Sequence, residues 1–119
     1  MVSVLLVEDE PEVAELARDA LCEAGFDVTV ALDDRTAYST LEREAPSFAA
    51  VVTDINLGTG VTGFDVARRA RQLNGEIKVI YISGQGPHRR VFGVDHALTL
   101  AKPYRPRDLA EQVAAFIKT

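Results

Sequence analysis

Phe48-Ala49-Ala50-Val51-Val52-Thr53-Asp54-Ile55-Asn56-Leu57-Gly58 is an apolar, β-favouring run with an acid set into it at Asp54. A run this apolar fits a strand buried on both faces, as in a parallel sheet. Such a strand cannot cheaply hold a carboxylate inside it. At its carboxyl end the carboxylate can emerge into the crevice where open α/β sheets bind ligands. Asp54 is therefore a candidate nucleophile for a phosphoryl group.

On the N-terminal side, Val2–Val7 is a short apolar run closed by Glu8, Asp9 and Glu10, and predicts a buried first strand. Pro11 suits a first helical turn, with Asp9 or Glu10 near the N-cap. Val13, Leu16, Ala17, Ala20, Leu21 and Ala24 follow at helical spacing, opposite Glu15, Arg18, Asp19 and Cys22. Gly25 fits the stop of this helix. Phe26–Leu32 predicts a second strand. Asp33 or Asp34 can cap a helix to about Glu44, with Ala37, Leu41 and Ala45 as its apolar stripe and Pro46 ending it.

On the C-terminal side, Phe64–Leu73 predicts a helix with Phe64, Ala67, Ala70 and Leu73 inward, closed by Asn74-Gly75. Ile77–Ile82 and Ala97–Ala101 predict the fourth and fifth strands. Pro106–Ile117 predicts a last helix with Leu109, Val113, Phe116 and Ile117 apolar. Between those two strands the alternation calls for a fourth helix. Gly84–Asp95 has little apolar periodicity there and predicts a loop or one short turn, a shortened or irregular fourth helix. Strands alternating with helices imply right-handed crossovers and a parallel sheet with helices on both faces. The expectation is one α/β domain over residues 1–119, doubly wound and flavodoxin-like, with strand order 2-1-3-4-5. That order makes strands one and three neighbours and brings Glu8, Asp9 and Asp54 together.

Composition narrows the classes. The 119 residues are 47% hydrophobic and 26% charged, which supports a packed core and disfavours a disordered chain. No apolar run reaches the roughly 18 residues of a membrane span. The N-terminus lacks a basic leader region and turns acidic within ten residues, against a signal peptide. The single Cys22 excludes an internal disulfide and agrees with a reducing, cytoplasmic setting. A net charge of −5 disfavours direct nucleic-acid binding, which needs a basic footprint.

Three carboxylates in one crevice repel one another by roughly a few kcal/mol per close pair at intermediate dielectric. A divalent cation removes that cost. Oxygen-only ligands select a hard ion, and a small, partly hydrated site suits Mg²⁺. Asp9 and Asp54 are candidate direct ligands, Glu8 a ligand through water, and the Asn56 carbonyl a further donor. The fourth strand leads to Ser83, whose hydroxyl can donate to a phosphoryl oxygen. The fifth leads to Lys102, whose ammonium can pair with another. Each residue alone has a plainer reading: helix N-terminal acids favoured by the dipole, a capping Asp, a turn Ser, a solvated Lys. Their joint placement at the carboxyl ends of strands one, three, four and five is what points to phosphoryl transfer.

These residues resemble the bacterial response-regulator receiver family of two-component signalling. V-L-L-V-E-D-E at Val4–Glu10 is similar to its first strand and acidic pair, and V-V-T-D-I-N-L at Val51–Leu57 to its phosphoacceptor strand. Y-I-S-G at Tyr81–Gly84 is similar to its Ser/Thr strand, and L-A-K-P-Y at Leu100–Tyr104 to its Lys-Pro motif. The resemblance implies phosphorylation of Asp54 by a sensor histidine kinase or a histidine phosphotransfer protein, Mg²⁺ dependence, slow self-catalysed hydrolysis, and no enzyme activity beyond these. It implies a downstream protein target, is compatible with a homodimer, and makes Lys102-Pro103 a candidate cis bond. The chain departs from the family at Thr99, where an aromatic residue is usual, in the glycine-rich loop after Asp54, and in the short stretch between Ser83 and Lys102. It is similar to receivers attached to, or working beside, hybrid sensor kinases. A stand-alone regulator and a domain of a longer chain both stay open.

Three other readings compete. Gly58-Thr59-Gly60-Val61-Thr62-Gly63 matches the dinucleotide fingerprint G-x-G-x-x-G between a strand and a helix. It sits on the third strand, however, and no acid follows about 20 residues later. A receiver-shaped binding module that is never phosphorylated needs none of the chemical residues that are present. A Mg²⁺-dependent hydrolase with an Asp nucleophile needs a second acid as general base, and Asn56 cannot serve. Cys22 reads as a surface thiol and His88-Arg89-Arg90 as a solvated loop. His96 lacks a ligand-spaced companion. Tyr81, Phe92 and Tyr104 suit either a partner-facing side or the core.

Overall fold

The computed structural model describes residues 1–57, 62–84 and 94–119. Its elements are β1 (Val2–Val7), α1 (Pro11–Glu23), β2 (Phe26–Ala31), α2 (Asp34–Glu44), a 3₁₀ turn (Ala45–Ser47), β3 (Phe48–Asp54), α3 (Gly63–Leu73), β4 (Lys78–Ser83), β5 (Ala97–Ala101) and α4 (Pro106–Ile117). The five strands are parallel in the order β2-β1-β3-β4-β5, as the alternation predicts. The segment expected to replace a fourth helix falls largely on residues 85–93, outside the described residues, as do Phe92 and His88-Arg89-Arg90.

Strand periodicity explains the layers. Successive side chains leave a strand on opposite faces. Leu5 and Val7 of β1, Val51 of β3, and Val79 and Tyr81 of β4 pack with Ala37 and Leu41 of α2 and Ala67 and Ala70 of α3. Val4 and Leu6, Ala50 and Val52, and Ile80 and Ile82 pack with Ala17 and Leu21 of α1 and Leu109 and Val113 of α4. Burying each valine, leucine or isoleucine among these stabilises the fold by about 1.5–3 kcal/mol, and each alanine by less. Along α1 the buried stripe is Ala14, Ala17 and Leu21, while Leu16 stays 59% exposed. The apolar arc of α1 is thus wider than the face that meets the sheet.

The helix ends follow local chemistry. Pro11 and Pro106 open α1 and α4, where the missing N–H costs nothing. Gly25 closes α1 with φ +98°, in the left-handed region that favours glycine. The Asp33 carboxylate accepts the Thr36 N–H at 2.6 Å and caps α2; that bond holds the carboxyl below its ordinary range. Thr62 and Asp65 form a reciprocal capping box on α3. At the far end of α3, the Asn74 side-chain amide donates to the carbonyls of Ala45 (2.9 Å) and Phe48 (3.1 Å). The last turn of α3 is thereby tied to the start of β3.

Candidate functional site

Strand register brings the candidate residues to one rim. Val7 of β1 lies beside Thr53 of β3, so the next residues, Glu8 and Asp54, leave the sheet side by side. Asp54 lies beside Ile82 of β4, and Ser83 beside Ala101 of β5. One residue past that pair, the Lys102 N–H donates to the Ser83 carbonyl at 2.7 Å. Four segments far apart in sequence therefore end at the same edge.

Lys102 joins the two buried acids. Its Nζ lies 2.6 Å from Asp54 Oδ2 and 3.3 Å from Glu8 Oε1. The other oxygens have their own partners: Asp54 Oδ1 accepts the Asn56 N–H at 3.2 Å, and Glu8 Oε2 accepts the Glu10 N–H at 3.1 Å. Glu8 and Asp54 are 1% and 6% exposed. Burial pushes the Glu8 carboxyl above its ordinary range. The Glu10 hydrogen bond and the Lys102 charge pull it back without cancelling the rise, and the Asp54 charge adds to it. Burial pulls the Lys102 ammonium down. The hydrogen bond to Asp54 and the charges of both acids outweigh that and hold it above its usual range.

Asp9 is exposed, yet one of its carboxylate oxygens falls within 4.8 Å of one from Glu8 and one from Asp54. These acids form a group able to hold a metal ion. Their donors are all oxygens, and the local acid charge exceeds what one ammonium offsets. The set fits a small hard cation such as Mg²⁺. Asn56 stands at the mouth of this group, bridged to Thr62 across the loop that follows Asp54. The structure thus brings Glu8, Asp9, Asp54, Asn56 and Lys102 together. Ser83 is buried at the same rim, linked through its backbone carbonyl.

Beside Lys102 opens a groove of about 540 Å³ lined by Glu10, Val13, Leu16, Gly84, Pro103 and Tyr104. Burial raises the Tyr104 hydroxyl pKa, and the nearby Glu8 charge adds to the rise. Tyr104 is half-buried against the α1–α4 core. Tyr81 is a core residue: it meets Phe64 edge-to-face at 5.0 Å, and its hydroxyl accepts the Val94 N–H at 3.0 Å. Thr99, in register with Tyr81 on β5, is exposed. The Lys102-Pro103 bond is cis, as expected.

Two residues of the site escaped the sequence reading. Gly63, the last glycine of the G-x-G-x-x-G match, packs against the backbone of Asp54 and Ile55. The Thr53 hydroxyl donates to the Asp54 carbonyl at 3.0 Å. The capping pattern Thr62-Gly63-Phe64-Asp65 was a legible sign that a helix starts there, directly after the loop.

Comparison with known proteins agrees with this geometry. The response regulator receiver domain family model matches residues 4–114. The chain is 30% identical over 116 residues to the response regulator receiver protein CpdR of Brucella abortus, covering 95% of this chain and 94% of that one. It is 32% identical over 117 residues to the transcriptional regulatory protein TcrA of Mycobacterium tuberculosis, covering 96% of this chain but 45% of TcrA. The crystal structure of a response regulator receiver protein from Sinorhizobium medicae superposes with a TM-score of 0.90 at 30% identity, over 99% of this chain and 95% of that one. From strand order, rim chemistry and these matches together, the chain belongs to the response regulator receiver domain family of two-component signalling.

Proposed function

We propose that this receiver takes a phosphoryl group onto Asp54 from the phosphohistidine of a sensor histidine kinase or histidine phosphotransfer protein, and thereby changes a surface read by a downstream protein. The observation that carries this reading is the approach of Lys102 Nζ to 2.6 Å from a carboxylate that shares its pocket with two further acids. A carboxylate oxygen of Asp54 forms the new P–O bond. The P–N bond of the donor breaks, its electron pair stays on the imidazole nitrogen, and the donor takes up a proton from solvent. Lys102 then pairs with a phosphoryl oxygen, and Ser83 is the hydroxyl nearest in role to hold another. Glu8, Asp9, Asp54 and the Asn56 carbonyl are the residues that would hold Mg²⁺. When bound, that ion offsets charge on the acids and on the transferred group.

The groove beside Lys102 offers a partner protein a surface next to the acceptor. Among the described residues no helix is long and apolar enough to cross a membrane. Chemistry here is confined to self-phosphorylation and slow self-hydrolysis, in a cytoplasmic setting.

The test is intact mass after incubation with acetyl phosphate, with and without Mg²⁺. The wild type should gain one phosphoryl group only with Mg²⁺. Asp54→Asn should lose labelling by at least about 100-fold, the scale expected when a nucleophile is removed. Undiminished labelling of the variant would move the acceptor elsewhere. An unlabelled wild type would favour the receiver-shaped binding module.

A further inference from the structure

The backbone of Asp54 is held more tightly than its position at a strand end requires. Asp54 is the last residue of β3, and an ordinary strand end hands its carbonyl to solvent. Here the Thr53 hydroxyl donates to that carbonyl at 3.0 Å, with Thr53 fully buried. From the other side comes the first turn of α3. A Cβ on Gly63 would stand 2.2 Å from the Asp54 carbonyl oxygen, 2.9 Å from its carbon and 3.0 Å from Ile55 Cα. All three atoms are backbone, so no flexible side chain can move aside. Gly63 does not owe its place to unusual dihedrals, since the positive-φ glycine among the described residues is Gly25. It is there because nothing larger than hydrogen fits.

The same contact is locked by hydrogen bonds. The Gly63 N–H donates to the Ile55 carbonyl at 2.7 Å, and Ile55 N–H donates to Ile82 of β4 at 3.0 Å. Asn56 and Thr62 bridge the loop one step further out. Asn56 N–H in turn reaches back to the Asp54 carboxylate. Rotation of the Asp54–Ile55 peptide would therefore carry along the Asp54 carboxyl direction and the Asn56 backbone together.

We propose that Gly63 and Thr53 are positioning residues, which clamp the Asp54–Ile55 peptide so that the Asp54 carboxylate and the Asn56 backbone are aimed at one point before any ligand arrives. This inference rests on the proposed phosphoacceptor role of Asp54 for its rate readout, but not for its metal-binding readout. Gly63→Ala forces either α3 to retreat or the peptide to turn. Displacement of reacting groups by about 1 Å can cost on the order of 100-fold in rate.

The experiment compares wild type, Gly63→Ala, Thr53→Val and Ala67→Gly. Ala67 is fully buried on α3, so its loss weakens that helix without touching Asp54. Each protein is assayed for Mg²⁺ affinity by calorimetry, for labelling rate with acetyl phosphate at saturating Mg²⁺, and for thermal stability. Gly63→Ala should slow labelling roughly 10- to 100-fold and weaken Mg²⁺ binding, with Thr53→Val showing the same pattern at smaller size. Ala67→Gly should lower the melting temperature while leaving both readouts near wild type. Wild-type labelling and Mg²⁺ affinity in both clamp variants would overturn the inference, as would equal losses in Ala67→Gly. If Gly63→Ala does not fold, Thr53→Val decides by the same criteria. If the wild type binds Mg²⁺ but is not labelled, the phosphoacceptor reading fails, and the clamp stands or falls on Mg²⁺ affinity alone.

Discussion

The two walls of the acidic pocket are built differently. One is formed by β1 and β3, where Val4–Val7 and Ala50–Val52 are completely buried and the acids Glu8 and Asp54 are nearly so. The other is formed by β5, whose residues are half-buried or exposed and whose Lys102 side chain remains 26% exposed. β3 has a strand on each side; β5 has β4 as its neighbour among the described residues. Chain connectivity sets this contrast, because central strands of a doubly wound sheet are covered on both faces. The lesson is a division of labour. The anionic wall is fixed by the core, while the cation reaches in from the end of a less buried strand on a flexible stem. With Asp54 in its proposed role, such a site would keep the acceptor in place and let the counter-charge re-aim on phosphorylation.

The largest effect that would break this comparison is in hydrogen exchange. Amides of Val51–Thr53 should exchange about 100-fold or more slower than those of Leu98–Leu100, since core strands open only with the whole fold and edges open locally. A phosphoryl mimic should alter β5 more than β3. Equal protection in the two strands would erase the distinction.

A smaller effect concerns Lys102→Ala. Removing the partner of a buried carboxylate costs about 3–5 kcal/mol, and the partial exposure of this lysine reduces that to about 1–2 kcal/mol. The loss should be read by denaturant melts in metal-free buffer and should shrink when Mg²⁺ is added, because another cation then offsets the acids. The variant should still accept a phosphoryl group, more slowly, with a weakened conformational response. A loss unaffected by Mg²⁺ would mean that Lys102 serves packing rather than charge.

The smallest effect sharpens the picture of the rigid wall. The folded-state pKa of Glu8 lies above its unfolded value, chiefly through burial. The folded protein therefore holds this proton more tightly. The stability that goes with it is fully present below the unfolded value and is lost as pH rises through the folded one. Glu8→Gln should melt a few degrees higher, roughly, than wild type at neutral pH in metal-free buffer. The gain should vanish below about pH 4, where the unfolded carboxyl also binds its proton. Lys102 keeps Asp54 as a partner in that variant. A gain that does not change with pH would assign the effect to something other than the Glu8 charge.

Much of this molecule was legible from local patterns. Val2–Val7 and Ala97–Ala101 were readable to the residue because apolar runs bounded by charge or turn residues have few alternatives. The rim residues were legible because strand order turns sequence-distant strand ends into neighbours. What escaped was whatever depends on how elements meet. The spacing of Val13, Leu16 and Ala20 gives the apolar arc of α1 but not which part of it faces the sheet, so the exposure of Leu16 is not legible from the pattern. The role of Gly63 was hidden because a glycine chosen for lack of space looks the same in sequence as one chosen for a turn. The ammonium of Lys102 sitting between two acids was foreseeable in kind, but its reach to both Glu8 and Asp54 is a matter of side-chain length and register.

The amide of Asn74 gives α3 a fixed span. That helix is pinned to the beginning of β3 by Asn74 and to the end of β3 by Gly63, running back along the strand like a strut. A helix turns about 100° per residue. Deleting or inserting a single residue between the pins would swing one of them to the wrong side of the axis. A one-residue length change between these pins would therefore break one of them, and the eleven residues of α3 act as a ruler for the strand that carries Asp54.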